Sequence, residues 1–310
     1  MTAAVAGGRG RVRALAIQLV LRAAIPGSAL LGSRALGKVG ILLYHRIAER
    51  RRGIPKPTWN VTPDRFHRQL AGLLARGFVA WPLRRALDHG ARGLPVPPRT
   101  FVVTFDDGYE NVYRHAWPVL RQLGVPATVF LATAFLDRGA PFPFDDWPAA
   151  GSDQVPPDAW RPLTTAQCRE MAAGGLVELG AHTHTHVDFR GRPEALAQDL
   201  VQCVEVIRER FRLSEVTFAY PFGFFDPRLA AVAREAGLRC GLTVEPELVD
   251  PLSDPFTWGR FEVNQADTVA TIAVRLDGWH GAARRIWRRL RRPTDRGHTA
   301  RGLHAGTTGD

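Results

Sequence analysis

The chain has 310 residues, of which 45% are hydrophobic and 23% charged, which is enough to bury one large core and is ordinary for a globular fold. Its formal charge of +11 is unevenly placed: residues 1–52 hold nine Arg and Lys38 against Glu49, and residues 284–310 hold eight Arg against two Asp, so +9 and +6 flank a middle that carries −4. A specific nucleic-acid partner should find its charge on the folded body, so this distribution argues against one and favours peripheral contact with an anionic membrane. Cys168, Cys203 and Cys240 form no C-x-x-C pair. They suggest neither a zinc knuckle nor a disulfide framework, but buried thiols in a reducing compartment.

Residues 1–37 read as a basic amphipathic segment. Arg9, Arg11 and Arg13 precede an apolar run from Ala14 to Leu21 that Gln18 interrupts and Arg22 ends. A membrane-spanning helix needs roughly 20 apolar residues, so a helix lying on the body or on a membrane surface, ending near Pro26-Gly27, is expected in its place. The expected location is the cytoplasm, with peripheral attachment at the membrane. Gly40 to Tyr44 then reads as a buried strand ending at His45-Arg46. Thr62-Pro63 opens a helix whose Phe66, Leu70, Leu73 and Leu74 repeat at helical spacing until Gly77.

The alternation continues with a strand at 100–104, a helix at 111–123 stopped by Gly124, and a strand at 127–131. After an insert come a strand at 177–179, a helix at 193–211, a strand at 216–219, a helix at 227–236 and a strand at 240–243. Strands alternating with helices predict a parallel sheet with outer helices, open or closed into a barrel. Between Leu136 and Pro162 the Pro-, Asp- and Trp-rich insert has the character of a lid or substrate wall. From Val269 to Leu290 the residues Ile272, Leu276, Trp279, Ala283, Ile286 and Leu290 share one helical face, with Arg on the other. This predicts a basic amphipathic helix over residues 266–292, packed on the barrel in the preferred reading and lying on a membrane surface in the alternative, and residues 293–310 read as a disordered tail.

Two motifs carry chemistry. In Thr104-Phe105-Asp106-Asp107-Gly108-Tyr109 an apolar strand runs into two carboxylates, and adjacent residues at a strand end point in different directions. One can bind a cation while the other handles a proton. In His182-Thr183-His184-Thr185-His186, His182 and His186 share a face if the segment is helical. On an extended strand they lie about 13 Å apart at about 3.3 Å per residue, and His182 with His184 is the pair instead. The helical register is preferred here, because Gly180 has the look of the strand's end. Two His and one Asp leave a coordination position open for water, as catalytic zinc sites require, and a spare carboxylate completes the base. The chain has no G-x-S-x-G elbow and no Walker loop.

With these residues in view, the chain resembles the polysaccharide deacetylases of carbohydrate esterase family four, which share the nodulation chitooligosaccharide-deacetylase homology domain. The family's T-F-D-D-G matches residues 104–108 and its H-[ST]-x-x-H matches 182–186. Leu43-Tyr44-His45-Arg46, the run 124–131 and Phe218-Ala219-Tyr220-Pro221-Phe222-Gly223 resemble the branch that handles exopolysaccharide amino sugars. The resemblance covers residues 38–265 and implies a distorted (β/α) barrel that removes N-acetyl groups from an amino sugar in a polysaccharide, oligosaccharide or lipid-linked glycan.

It further implies Asp106 as general base, Asp107, His182 and His186 as ligands of one divalent metal (zinc first, then cobalt, nickel or manganese), and an oxyanion contact from the backbone N–H of Phe222. Tyr109, His45 and Tyr220 are the candidate substrate contacts. Two departures stand out. The family's third motif opens with an arginine that holds the base, and this chain has Ala219 there; Arg260, in Trp258-Gly259-Arg260-Phe261, is the candidate replacement. The family's late Leu-x-His, which supplies the general acid, has no counterpart after Arg260, since His280 falls within the expected terminal helix. The acid is therefore left open. The alternatives are an O-acetyl carbohydrate esterase of the same fold and a catalytically disabled carbohydrate-binding relative.

Overall fold

The computed structural model describes residues 33–279 together with Ile25. Nearly all of the basic segment expected over 1–37 lies outside the described residues, as do His280, the remainder of the expected terminal helix and the tail. Five strands form the main parallel sheet in the order β7-β6-β5-β1-β8: β1 is Val39–Tyr44, β5 Thr100–Phe105, β6 Ala127–Leu131, β7 Val177–Ala181 and β8 Phe261–Glu262. A short β4, Val79–Ala80, pairs with the start of β5. Strands β1, β5 and β6 are buried at every position, as expected of parallel strands covered on both faces and rich in Val, Ile, Leu and Phe. Beside them, β2 (Arg46–Ile47) pairs in parallel with β3 (Asn60–Val61).

Beyond β7 the parallel pairing continues through single bridges: Ala181 with Phe218, Ala219 with Leu242, and Leu242 with Trp258. Trp258 leads within three residues into β8, which pairs back onto β1. The ring of parallel neighbours is regular over β8-β1-β5-β6-β7 and thin on the opposite side, a distorted (β/α) barrel. The runs expected as strands at 216–219 and 240–243 are these single bridges, because the chain there makes one parallel contact per neighbour before turning away.

The helices that cover the ring are α1 Pro63–Leu74, α2 Leu83–Ala91, α3 Trp117–Leu123, α4 Thr165–Ala173, α5 Pro193–Phe211, α6 Pro227–Glu235 and α7 Val269–Leu276. Thr62 stands at the N-cap position of α1, but its side chain makes no cap bond; its hydroxyl accepts from Gln265 Nε2 at 3.3 Å instead. The helix expected from Asn111 opens as a wide π turn over Val112–Ala116 before α3, and Gly124 ends it at φ +64. Neither α2 nor α4 was expected, although Thr164 and Gln167 form a reciprocal capping box ahead of α4.

The described start of the terminal helix packs on the barrel, one of the two placements expected for it, but its polar face differs from expectation. α7 is buried from Thr271 to Leu276, and Arg275, expected on a solvated face, pairs with Asp267 at 2.6 Å. Its run stops at Asp277, followed by Gly278 at φ +82. Ile272 and Leu276 belong to the main core, so this part of the chain is a barrel helix. All three cysteines are buried and free. Among the described residues no helix is long and apolar enough to cross a membrane.

Candidate active site

The functional side chains gather where the parallel strands end, the edge at which such barrels build their sites. β5 delivers Asp106 and Asp107, β7 delivers His182, β1 delivers His45, and Arg260 immediately precedes β8. The backbone turns sharply after β5: Asp106 N–H donates to Tyr44 O at 3.0 Å, and Asp107 adopts φ +71. The two carboxylates thereby part. Asp106 meets Arg260 in a two-pronged pair, Oδ1 with Nη1 at 2.6 Å and Oδ2 with Nη2 at 2.8 Å. Arg260 is fully buried, and its Nε donates to Thr243 O at 2.9 Å, fixing the plane of the fork. The position read from sequence as a replacement for the missing third-motif arginine therefore reaches the expected carboxylate.

Asp107 turns toward the histidines, with Oδ1 3.5 Å from His182 Nε2 and 3.3 Å from His186 Nε2. The three ligand atoms lie within 4.8 Å of one another. The pairing of His182 with His186 is the one expected, but the helical register that motivated it is wrong. β7 runs on through Ala181, and residues 182–186 form a tight turn with Thr183 at φ +64 and His186 at φ +53. That reversal, in place of a helical i, i+4 spacing, brings the two rings to 4.8 Å. Gly180 lies inside the strand because a Cβ there would meet Phe130 Cδ1 at 2.6 Å and Thr217 Oγ1 at 2.7 Å; it marks close strand approach, and the strand continues past it.

Asp199, on the buried face of α5, pins this turn. Its carboxylate accepts from the N–H of His184, the N–H of Thr185 at 3.0 Å and the Thr185 hydroxyl. His184 points out of the triad to Thr133 Oγ1, 2.9 Å from its Nδ1. His182 Nδ1 sits 2.8 Å from Ala219 O; donation to that carbonyl leaves Nε2 with its lone pair toward Asp107. His186 is steadied by stacking: the Phe144 ring lies 3.8 Å away at 29°, and the Phe222 ring meets it edge-on at 4.7 Å.

The electrostatics divide the two aspartates as clearly as the geometry does. Burial works to raise the Asp106 carboxyl, but Arg260, then His182, overcome it and hold it well below the usual carboxylate range. Asp107, equally buried, is pushed well above that range by burial and by the charge of Asp106, with Arg46 opposing. Burial also lowers both histidines, His186 to about 2. A carboxylate short of positive charge beside two neutral imidazoles is a donor set that fits a divalent cation.

Other candidates fall on the rim or away from it. His45 is half-buried and lowered to about 4 by burial, with Asp106 opposing and Arg260 and His182 reinforcing. Its ring lies 5.6 Å from that of Trp59. Phe222, at φ +58 and 45% exposed, sits against His186. Tyr220 is a correction: it is buried in the core between β7, α5 and α6, and its hydroxyl donates to Phe256 O at 3.1 Å. Tyr109 is a second correction. Its ring is buried against Phe142 at 4.8 Å and the Arg46 guanidinium at 4.3 Å, which makes it part of the inner wall and leaves no open face for a sugar.

Sequence reasoning missed how the insert joins this wall. Arg46 and Asp145 form an ion pair with both side chains 1% exposed, and Phe144 beside it covers His186. The insert's aromatic content hinted at a wall; nothing in its spacing identified which residues reach the site.

Comparison with known proteins gives the same placement. Residues 93–241 match the sequence profile described as polysaccharide deacetylase. The chain is 24% identical over 231 residues to the poly-beta-1,6-N-acetyl-D-glucosamine N-deacetylase of Staphylococcus aureus, covering 72% of this chain and 73% of that protein. In structure it is similar to IcaB from Ammonifex degensii, with a TM-score of 0.65 and 25% identity over 80% of this chain and 98% of that one. It is also similar to the Streptococcus pyogenes deacetylase PplD, with a TM-score of 0.64 and 18% identity over 78% and 99%. The latter likeness speaks to the fold. With its two motifs meeting in one site at the strand ends, and with residues 93–241 matching the profile, the chain is similar to the polysaccharide deacetylases in both sequence and fold.

Proposed function

We propose that this chain is a metal-dependent carbohydrate N-deacetylase that hydrolyses the acetamide of an N-acetylated amino sugar within an exopolysaccharide, an oligosaccharide or a lipid-linked glycan. The observation that carries the reading is the division of labour between adjacent carboxylates, Asp107 with His182 and His186, and Asp106 with Arg260. Asp107, His182 and His186 would hold one divalent cation, zinc by preference, with cobalt, nickel or manganese also suited to the donors. When bound, that ion supplies Lewis-acid polarisation of the acetyl carbonyl and acidifies the attacking water.

The chain's own residues do the rest. Asp106, kept ionised by Arg260, accepts the proton of the attacking water as oxygen adds to the carbonyl carbon. The backbone N–H of Phe222, a rim residue whose ring meets that of His186, would donate to the developing oxyanion. The carbon–nitrogen bond then breaks, releasing acetate and the free amine, and the nitrogen takes the proton. Asp106 returns to it the proton taken from the water, since His45, lowered to about 4 by burial, is neutral at neutral pH. The charge at the two chain ends supports peripheral attachment to an anionic membrane, with the cytoplasm as location; vesicle binding that weakens as salt rises would test it.

The decisive experiment incubates zinc-loaded protein with β-linked N-acetylglucosamine oligomers and assays acetate and new primary amine together. Equal amounts of both are expected. Acetate with a new hydroxyl from an O-acetylated glycan, and no amine from the oligomers, identifies an esterase. Metal bound with no product from either identifies a carbohydrate-binding relative.

A further inference from the structure

Among the described residues, eight other than glycine have positive φ, and five of them, Trp59, Asp107, Thr183, His186 and Phe222, belong to the site or its rim. For Trp59 this is a genuine outlier, since a bulky side chain at φ +49 is disfavoured by contacts with its own backbone. It is also 55% exposed, so burial of the indole does not compensate for the strain.

The conformation is imposed from both sides. Trp59 O accepts from Arg46 N–H at 3.2 Å, and Thr58 O accepts from Arg46 Nη1 at 3.4 Å. The Thr58 hydroxyl donates to Asp146 Oδ1 at 2.6 Å. Asn60, buried, exchanges two bonds of 2.9 Å with the backbone of Ala48. A strained backbone held by its neighbours around an exposed aromatic ring points to a role for that ring outside the core.

Its location indicates which role. From the buried triad outward, exposure increases through half-buried His45 to Trp59, whose ring lies 5.6 Å from that of His45 and tilted by 32°. We propose that Trp59 is the stacking platform for a pyranose ring of the glycan next to the acetylated unit being hydrolysed, a subsite that makes the enzyme favour oligomers over single sugars. The inference rests on the proposed deacetylase reading. A flat, rigid indole offers the face of a sugar a large contact area at little cost in side-chain entropy, and continuity with His45 places that contact on the path of a chain threading the site.

The test compares wild type, Trp59→Ala and Trp59→Phe on N-acetylglucosamine oligomers of one to six units, measuring KM and kcat for acetate release and, separately, oligomer binding by calorimetry. Trp59→Ala is expected to raise KM and Kd about tenfold for the longer oligomers, with the gap closing as the substrate shortens, and Trp59→Phe is expected to recover most of the binding. An equal loss at every length would overturn the proposal, because it would mark a purely structural residue. Unchanged behaviour on all soluble oligomers, with weakened binding to anionic phosphatidylglycerol vesicles, would overturn it in favour of a membrane contact. If wild type binds oligomers length-dependently through Trp59 yet releases no acetate, the deacetylase reading fails while the subsite stands.

Discussion

Replacing Arg260 with methionine removes the fork from Asp106 while keeping an aliphatic stem of similar length. The carboxylate is then buried with its two closest donors gone. Breaking a fully buried pair in this way costs about 3–5 kcal/mol, and at roughly 2–4 °C per kcal/mol for a chain of this size the melting temperature should fall by about 10 °C. The sign with pH follows from the direction of the shift. Asp106 is depressed in the folded wild type, so its contribution to stability is present above the unfolded value of about 3.9 and is lost as pH falls through the lower folded value.

In Arg260→Met, burial is opposed only by the weaker histidine contributions and the carboxyl rises. The stability gap between the two proteins should therefore be full at neutral pH and shrink on acidification. The acid limb of kcat/KM should move to higher pH, since the base protonates sooner. Thermal melts of metal-free protein from pH 3 to 8, with an acetate-release pH profile, measure both. An unshifted acid limb together with a gap independent of pH would refute the assignment of Arg260 as the group that keeps Asp106 ionised. The double variant Asp106→Asn with Arg260→Met should recover part of the lost stability, because neither partner is then left as an isolated buried charge.

Alanine at Asp107, His182 or His186 should abolish tight zinc binding in a chelator competition, whereas His184→Ala, which loses only the contact with Thr133, should keep the metal. Phe144→Ala removes the ring stacked on His186 and should weaken zinc affinity by about tenfold while leaving secondary structure unchanged by circular dichroism; full retention of affinity would show that the insert does not steady the ligand. Glu262, raised to about 7 by burial and then by Asp267, with Arg275 opposing, contributes stability below its unfolded value that is lost as pH rises through 7. Glu262→Gln should therefore gain on wild type between pH 5 and pH 8.5 in urea melts, and a constant difference across that range would contradict the shift.

Much of the barrel was legible because its strands are short apolar runs ending in chemistry. Ala127–Leu131 and Pro193–Phe211 fall where they were expected, since periodicity and flanking Gly and Pro fix such elements locally. The histidine pair was legible as a pair, but its geometry was not. Nothing in His182 to His186 announces that Asp199, in the next helix, will bind the turn's N–H groups and stabilise a reversal. Tyr220 misled for a related reason: it adjoins the rim residue Phe222 in sequence, but the bridge of Ala219 to Leu242 sends its side chain into the core. The Arg46–Asp145 pair joins positions 99 residues apart, a relation that local patterns do not carry.

The contact between Arg260 and Asp106 spans 154 residues, and it orders the assembly of the site in time. A nascent chain that has delivered both motifs, through His186, still lacks the guanidinium that pairs with Asp106. Asp106 and Asp107 must then coexist at the end of β5 without that counter-charge until the last strand joins β1. The pairing of Asp106 with Arg260 is thus withheld until the barrel is nearly complete, and the same dependence makes the final segment of the ring, linked on one side by a single bridge, the place where partial opening would strip Asp106 of its counter-charge before the rest of the fold is lost.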